Sequence, residues 1–200
     1  VGSHNLTVHY DGDGNFNQDD SAAIVHVVDK ADTTTVVVTS DSSTPFGQPV
    51  SFTATVGADS PGAGTPSGTV SFKDGSVVIG TAGLSNGVAA FNNVTTLPLG
   101  FHDITADYAG DGSFNPSVGN LAGGQNIENT PPVVTTSSGT VTFTEDNEPL
   151  VVDSGLTVTD ISNLNLDRVN VQITGNYHSP EDQLGFANTT AIQSAFDPFS

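Results

Sequence analysis

Oxygen-bearing side chains at alternate positions open the chain. In HYDGDGNFNQ, residues 9–18, Asp11, Asp13, Asn15 and Asn17 are spaced like metal ligands around a loop. Calcium takes about six to eight oxygens from such loops, so a calcium site is the first chemistry to test. An EF-hand loop counted from Asp11 needs Gly at its sixth position and Glu at its twelfth, but Phe16 and Ala22 stand there. The competing reading is a tight turn, in which Gly supplies positive φ and Asp bonds nearby backbone N–H groups.

Two carboxylate pairs come next. Glu145 with Glu148, and Glu181 with Asp182, are the residue types that glycoside hydrolysis requires. No cleft is indicated between either pair, and no Gly-x-Ser-x-Gly elbow or phosphate-cradling loop occurs. Catalytic residues are therefore expected to be none, and the chain is read as no enzyme. Among five histidines, His4 and His102 share the parity of an inward strand face, which points to core-edge histidines; His9, His26 and His178 have no repeated position. With Cys 0, neither a disulfide framework nor a thiolate site is possible.

Charge narrows the partners. Twenty-two acids against three bases (Lys30, Lys73, Arg168) give a net charge of −19. Nucleic acid and anionic membrane both reward clustered bases and are excluded as partners. No apolar run approaches the roughly 18 residues of a membrane span. No signal peptide is visible, and the opening reads as a piece cut from a longer pattern. The acids are scattered, as on a solvated surface, with divalent cations as their natural counterions.

The elements that must position these residues emerge from an internal repeat. GSHNLTVHYDGDGNFN at 2–17 recurs as GFHDITADYAGDGSFN at 100–115, a constant offset of 98. That is the length of a sandwich domain of about 100 residues. Its mid-chain counterpart also shows that the Gly-Ser-His opening is native rather than a tag. In the second copy Asp11 becomes Ala109 and Asn15 becomes Ser113, while Gly-Asp-Gly and Phe-Asn persist. What survives is turn chemistry, so the opening stretch is read as a hairpin.

Between the copies lies a period-2 pattern. TTTVVVTS (33–40) is a β-branched run; Val50, Phe52, Ala54 and Val56 alternate with Ser51, Thr53 and Thr55; Val70 and Phe72 alternate with Ser71 and Lys73. Asp74-Gly75 and Asn86-Gly87 predict hairpin turns. His102, Ile104, Ala106 and Tyr108 form another inward face, and a last strand is expected near 118–127. About seven strands without a helix predict an all-β, antiparallel two-sheet sandwich whose core rests on Phe52, Phe72, Phe91 and Tyr108.

These segments carry a resemblance. TTTVVVTS, FGQPVSFTATV, GTPSGTVSFKDGSVVIGTAGL, NGVAAF and TLPLGFHDITADYAGDGSFNPS, in that order, resemble the bacterial Ig-like repeats of large secreted surface proteins. Unlike antibody domains, they carry no Cys pair and no Trp. The expected organisation is Ig-like modules in tandem: 1–30 the C-terminal hairpin of one repeat, 31–128 a complete domain, and 129–200 a partial module of another kind. After ENTPPVV (128–134), which reads as a semi-rigid linker, TFTEDNEPLVVDSGLTVTD and RVNVQITGNYHSPEDQLGF resemble cadherin-like modules of giant bacterial adhesins.

The cadherin-like resemblance implies calcium at the joint, with Glu145 and Asp160 as ligands and Glu181, Asp182 and Glu128 as weaker candidates. A second acid two places after Asp160 is common in such modules, but Ser162 stands here. Separately solvated acids are the alternative. No other cofactor is implied. Both resemblances imply a non-catalytic stalk or spacer of a cell-surface or secreted adhesin, extracellular or at the bacterial surface. Its partners would be neighbouring modules of the same chain, with a glycan or host surface protein engaged by a distant tip. Two alternatives stay open: a module that binds glycan or protein itself, and an accessory region of a secreted hydrolase. Tyr177 and Phe199 are the aromatic candidates outside strands for such a binding surface.

Overall fold

The computed structural model describes residues 1–139 and 155–162. The chain divides into two compact units, Val1–Asn163 and Leu164–Ser200, and all described residues lie in the first. Every regular element among them is a strand.

The N-terminal copy contributes β1 (Gly2–Leu6), β2 (His9–Tyr10), β3 (Asp19–Asp20) and β4 (Ile24–Val28). β1 pairs antiparallel with β4, and β2 with β3. Leu6, Val8, Tyr10 and Phe16 are exposed here, although their counterparts Ile104, Ala106, Tyr108 and Phe114 are buried. His4, expected on an inward face, is exposed for the same reason: a face is inward only when a second sheet covers it. Isolated two-stranded hairpins are marginal in water. Amide exchange should therefore be at least about tenfold faster in residues 2–28 than in 100–115. Equal protection, read by hydrogen-exchange NMR, would show that the hairpin stands without a covering sheet.

The complete copy runs through β5 (Thr33–Thr39), β6 (Ser43–Pro45), β7 (Val50–Ala58), β8 (Thr69–Asp74), β9 (Val77–Gly83), β10 (Val88–Val94), β11 (Gly100–His102), β12 (Ile104–Tyr108), β13 (Ser117–Asn120) and β14 (Gln125–Glu128). One layer has the order β10-β7-β5 and the other β13-β12-β8-β9. β11 continues into β12 past Asp103 and pairs with β14, which in turn takes β6 in parallel. The first strand of the module thus starts beside β7 and passes across to β14, closing one edge of the sandwich.

The expected alternation is present. Val50, Phe52, Ala54 and Val56 are buried on β7, Val70 and Phe72 on β8, and Ile104, Ala106 and Tyr108 on β12. Phe91 is partly buried and stacks on Phe72, with centroids 5.6 Å apart and planes at 29°. Asn86 (φ 52°) and Gly87 (φ 77°) both take positive φ, and Ser85 and Val88 exchange two backbone bonds of 2.8 and 3.0 Å. That is the type I′ geometry Asn-Gly favours.

Three local details differ from the pattern reading. The turn read at Asp74-Gly75 falls one residue later, leaving Asp74 on the strand. The last strand is broken into β13 and β14 around Gly123 and Gly124, both at positive φ. A bulge between Phe91 and Val94 places Asn93 at φ 57°, a left-handed conformation Asn tolerates better than most residues. Beyond the module, β15 (Val133–Thr135) pairs antiparallel with β16 (Thr157–Thr159).

Because residues 33–128 hold two covered sheets and a shared core, residues 31–128 should fold when excised. The expected result is a β-type far-UV dichroism spectrum with one cooperative melt. Substantial helix, or a melt without cooperativity, would refute it.

Candidate functional site

The repeated Gly-Asp-Gly loops are built alike. Asp13 Oδ1 accepts the N–H groups of Asn15 (2.8 Å) and Phe16 (2.9 Å), and the Asp13 N–H donates to Phe16 O at 2.9 Å. Asp111 repeats this with Ser113 (2.8 Å), Phe114 (2.9 Å) and Phe114 O (3.0 Å). A Cβ at Gly12 would lie 2.9 Å from Phe16 O, and one at Gly110 2.8 Å from Phe114 O, so both turns close too tightly for a side chain there. Of the persistent residues, the first Gly and the Asp are consumed by the turn itself.

Asp111 carries two further bonds, from Ser67 N–H at 3.0 Å and Ser67 Oγ at 2.6 Å. The Ser67 hydroxyl first, and the Ser113 amide next, hold its carboxyl well below the usual carboxylate range; the Asn15 and Phe16 amides lower that of Asp13. A depressed folded value contributes stability that is present above the unfolded value of about 4 and is lost as pH falls. The melting temperature should therefore decline on acidification below about pH 4, and Asp111→Asn should decline less steeply over that range. Parallel melts between pH 2 and 6 read the difference; identical slopes would remove Asp111 from the account. Beside this loop, burial raises the Tyr108 phenol above its ordinary value, and the Asp111 charge adds to the shift. The Tyr108 hydroxyl is buried beside Asp111 and Ser67, with neither in full hydrogen-bond geometry.

The histidines divide by whether a core surrounds them. His102 is buried, with Nδ1 2.7 Å from Asp74 Oδ2 and Nε2 2.9 Å from Pro98 O. Both ring nitrogens face oxygens of neighbouring groups within the fold rather than open space. Exposed His9 pairs with Asp20 at 2.6 Å and Asp11 at 3.3 Å. Three acids or histidines do not gather to metal-binding geometry anywhere among the described residues.

Of the proposed joint ligands, Glu145, Glu181 and Asp182 lie outside the described residues, as do Glu148, His178, Tyr177 and Phe199. Asp160 follows β16, and its Oδ1 accepts the Ser162 N–H at 2.7 Å and the Ser162 hydroxyl. Ser162, standing where a second acid was expected, satisfies Asp160 instead of adding charge beside it. Glu128 closes β14 and takes a hydrogen bond from the Ser43 hydroxyl, while its carbonyl accepts Phe46 N–H at 2.9 Å. The next residue, Gly47, sits against Ile161, with its Cβ position 3.4 Å from the Ile161 side chain. Glu128 and the turn after β16 are thus linked through residues 46 and 47.

Sequence reading missed one polar centre. Gln125 is completely buried: its Oε1 accepts from Thr39 Oγ1 at 2.7 Å, and its Nε2 donates to Thr44 Oγ1 at 3.2 Å and Asn126 O at 3.1 Å. It joins β5, β6 and β14. The position after two glycines carried no periodic signal that would mark it as interior.

Residues 36–122 match the model of the bacterial Ig-like domain (group 3). The solved structure of the Clostridium thermocellum CbhA fibronectin(III)-like modules aligns at TM-score 0.34 and 18% identity, covering 64% of this chain and 63% of that one. The chain therefore spans under two thirds of that structure. No curated protein matches the chain. The described residues form an all-β Ig-like sandwich, which fits a structural or binding module. No helix among the described residues is long and apolar enough to cross a membrane.

Proposed function

We propose that this chain is a non-catalytic spacer from a large bacterial surface or secreted adhesin, in which Ig-like modules follow one another in tandem. One observation carries the reading. The β1–β4 pairing, with Gly2 opposite Val28 and His4 opposite His26, reproduces the β11–β14 pairing of Gly100 with Ile127 and His102 with Gln125. A recurring strand pair supports related units in series, which suits a spacer better than a single binding site. The match to a bacterial Ig-like domain supports placement at the cell surface.

In this reading the domain boundaries stay at 1–30, 31–128 and 129–200, with a cadherin-like module last. Calcium stiffens the joint through Glu145 and Asp160, helped by Glu128. The test compares calorimetric calcium titrations of the native chain and of Glu145→Gln with Asp160→Asn. Binding that the double variant loses supports the joint site; equal binding, or none in either, removes it. For the spacer itself, the chain is applied to a glycan array and to panels of glycoside, ester and peptide substrates. Absence of saturable binding and of turnover is expected. Saturable glycan binding would promote the binding-module reading.

A further inference from the structure

Only residues 29–32 separate β4 from β5, and nearly all of them are held. The Ala31 N–H donates to Ser113 O at 2.9 Å, and Asn115 N–H donates back to Ala31 O at 2.8 Å. Asn115 Nδ2 reaches Asp32 Oδ1 at 2.9 Å. Lys30 Nζ donates to Asp111 O at 2.5 Å. Thr33 Oγ1 then donates to Asn115 O at 2.9 Å. On the opposite side, Asp59 N–H bonds Asp32 O at 2.9 Å, and a Cβ at Gly62 would fall 2.5 Å from the Ala31 methyl.

We propose that the Gly-Asp-Gly-x-Phe-Asn loop is a docking site for the extended segment that enters its own module, and that this clamp fixes the joint between consecutive copies. The partner it fits is an extended backbone reading basic–small–acidic. Its small residue is selected by Gly62, its acid by the Asn115 amide, and its base by the Asp111 carbonyl. Asp29 is left as the pivot. This explains why the first Gly, the Asp and the final Asn survive between copies while Asp11 and Asn15 do not: the acid and the first glycine shape the loop, and the Asn grips the entering strand. In the first copy, Asp13 holds the same loop shape and Asn17 stands where Asn115 does, ready for a segment of the same chemistry.

The clamp deepens the spacer reading, because it supplies stiffness at a joint, but it is measured separately from it. The measurement is amide exchange and ¹⁵N relaxation across 28–33 and 113–117 in the full chain. Ala31 and Asn115 amides should exchange slowly and share the order of β5, with order falling only at Asp29. Asn115→Ala should speed Ala31 exchange about fivefold, the worth of roughly one hydrogen bond. Ala31→Leu should release the Asn115 amide by at least as much, since its side chain collides with Gly62. Lys30→Ala, an exposed change that leaves the core untouched, should widen motion at 30–31 while the melting temperature holds. Ala31 exchanging as fast as Asp29 in the native chain overturns the clamp, as does unchanged protection in all three variants. Failure of the spacer reading would appear instead as ligand binding or turnover.

Discussion

Phe72→Ala should cost the module about 3–5 kcal/mol, the range for emptying an aromatic from a core. Phe72 is fully buried at the centre of the four-stranded layer, opposite Ala106 on β12 and Gly80 on β9. Its ring stacks on Phe91, and Gly80 lies against the Phe91 ring with no room for a side chain of its own. Neighbours as small as Ala106 and Gly80 cannot expand into the space, so most of the cavity would persist. Domains of this size are stable by only about 5–15 kcal/mol. The variant should therefore melt about 12 °C or more below the native module, taking about 4–8 °C per kcal/mol. A loss below about 1 kcal/mol in chemical denaturation would mean that the core does not depend on this ring.

Gln125→Leu should cost about 2–3 kcal/mol, although it makes a fully buried position more apolar. The loss comes mainly from Thr44 Oγ1, itself buried and deprived of its Nε2 donor; Thr39 Oγ1 surrenders its bond to Oε1 but keeps Asp41 O at 3.0 Å. An unsatisfied buried hydroxyl costs more than its bond contributed, because water cannot return to it. Pairing Gln125→Leu with Thr44→Val should recover part of the loss, giving a coupling energy of at least about 0.5 kcal/mol in a double-mutant cycle. Strict additivity, or a neutral single variant, would show that the three-strand polar junction adds nothing to stability.

The two experiments probe layers of the protein that differ in how far the sequence reveals them. Which side chains of β7, β8 and β12 face inward was legible beforehand. A strand places alternate residues on opposite faces, so Val50–Phe52–Ala54–Val56 could be assigned without knowing any partner. The Asn86-Gly87 turn was equally legible, since its two dihedrals are local properties of Asn and Gly. So was the turn character of Gly-Asp-Gly, once a second copy showed which residues were dispensable.

What remained hidden involves residues distant in the chain. Asp74 reaches His102 only because β8 and β12 are neighbours in the sheet, and Gln125 meets Thr39 and Thr44 only because β6 crosses to β14. Nor does the pattern say that Asn115 holds Asp32. Polar side chains have no period that marks a future partner, because their bonds depend on which backbones the folded sheets bring within about 3 Å. The same rule separates Tyr10 from Tyr108. Their motifs are nearly identical, yet one is exposed and the other buried, because burial belongs to the covering sheet rather than to the residue.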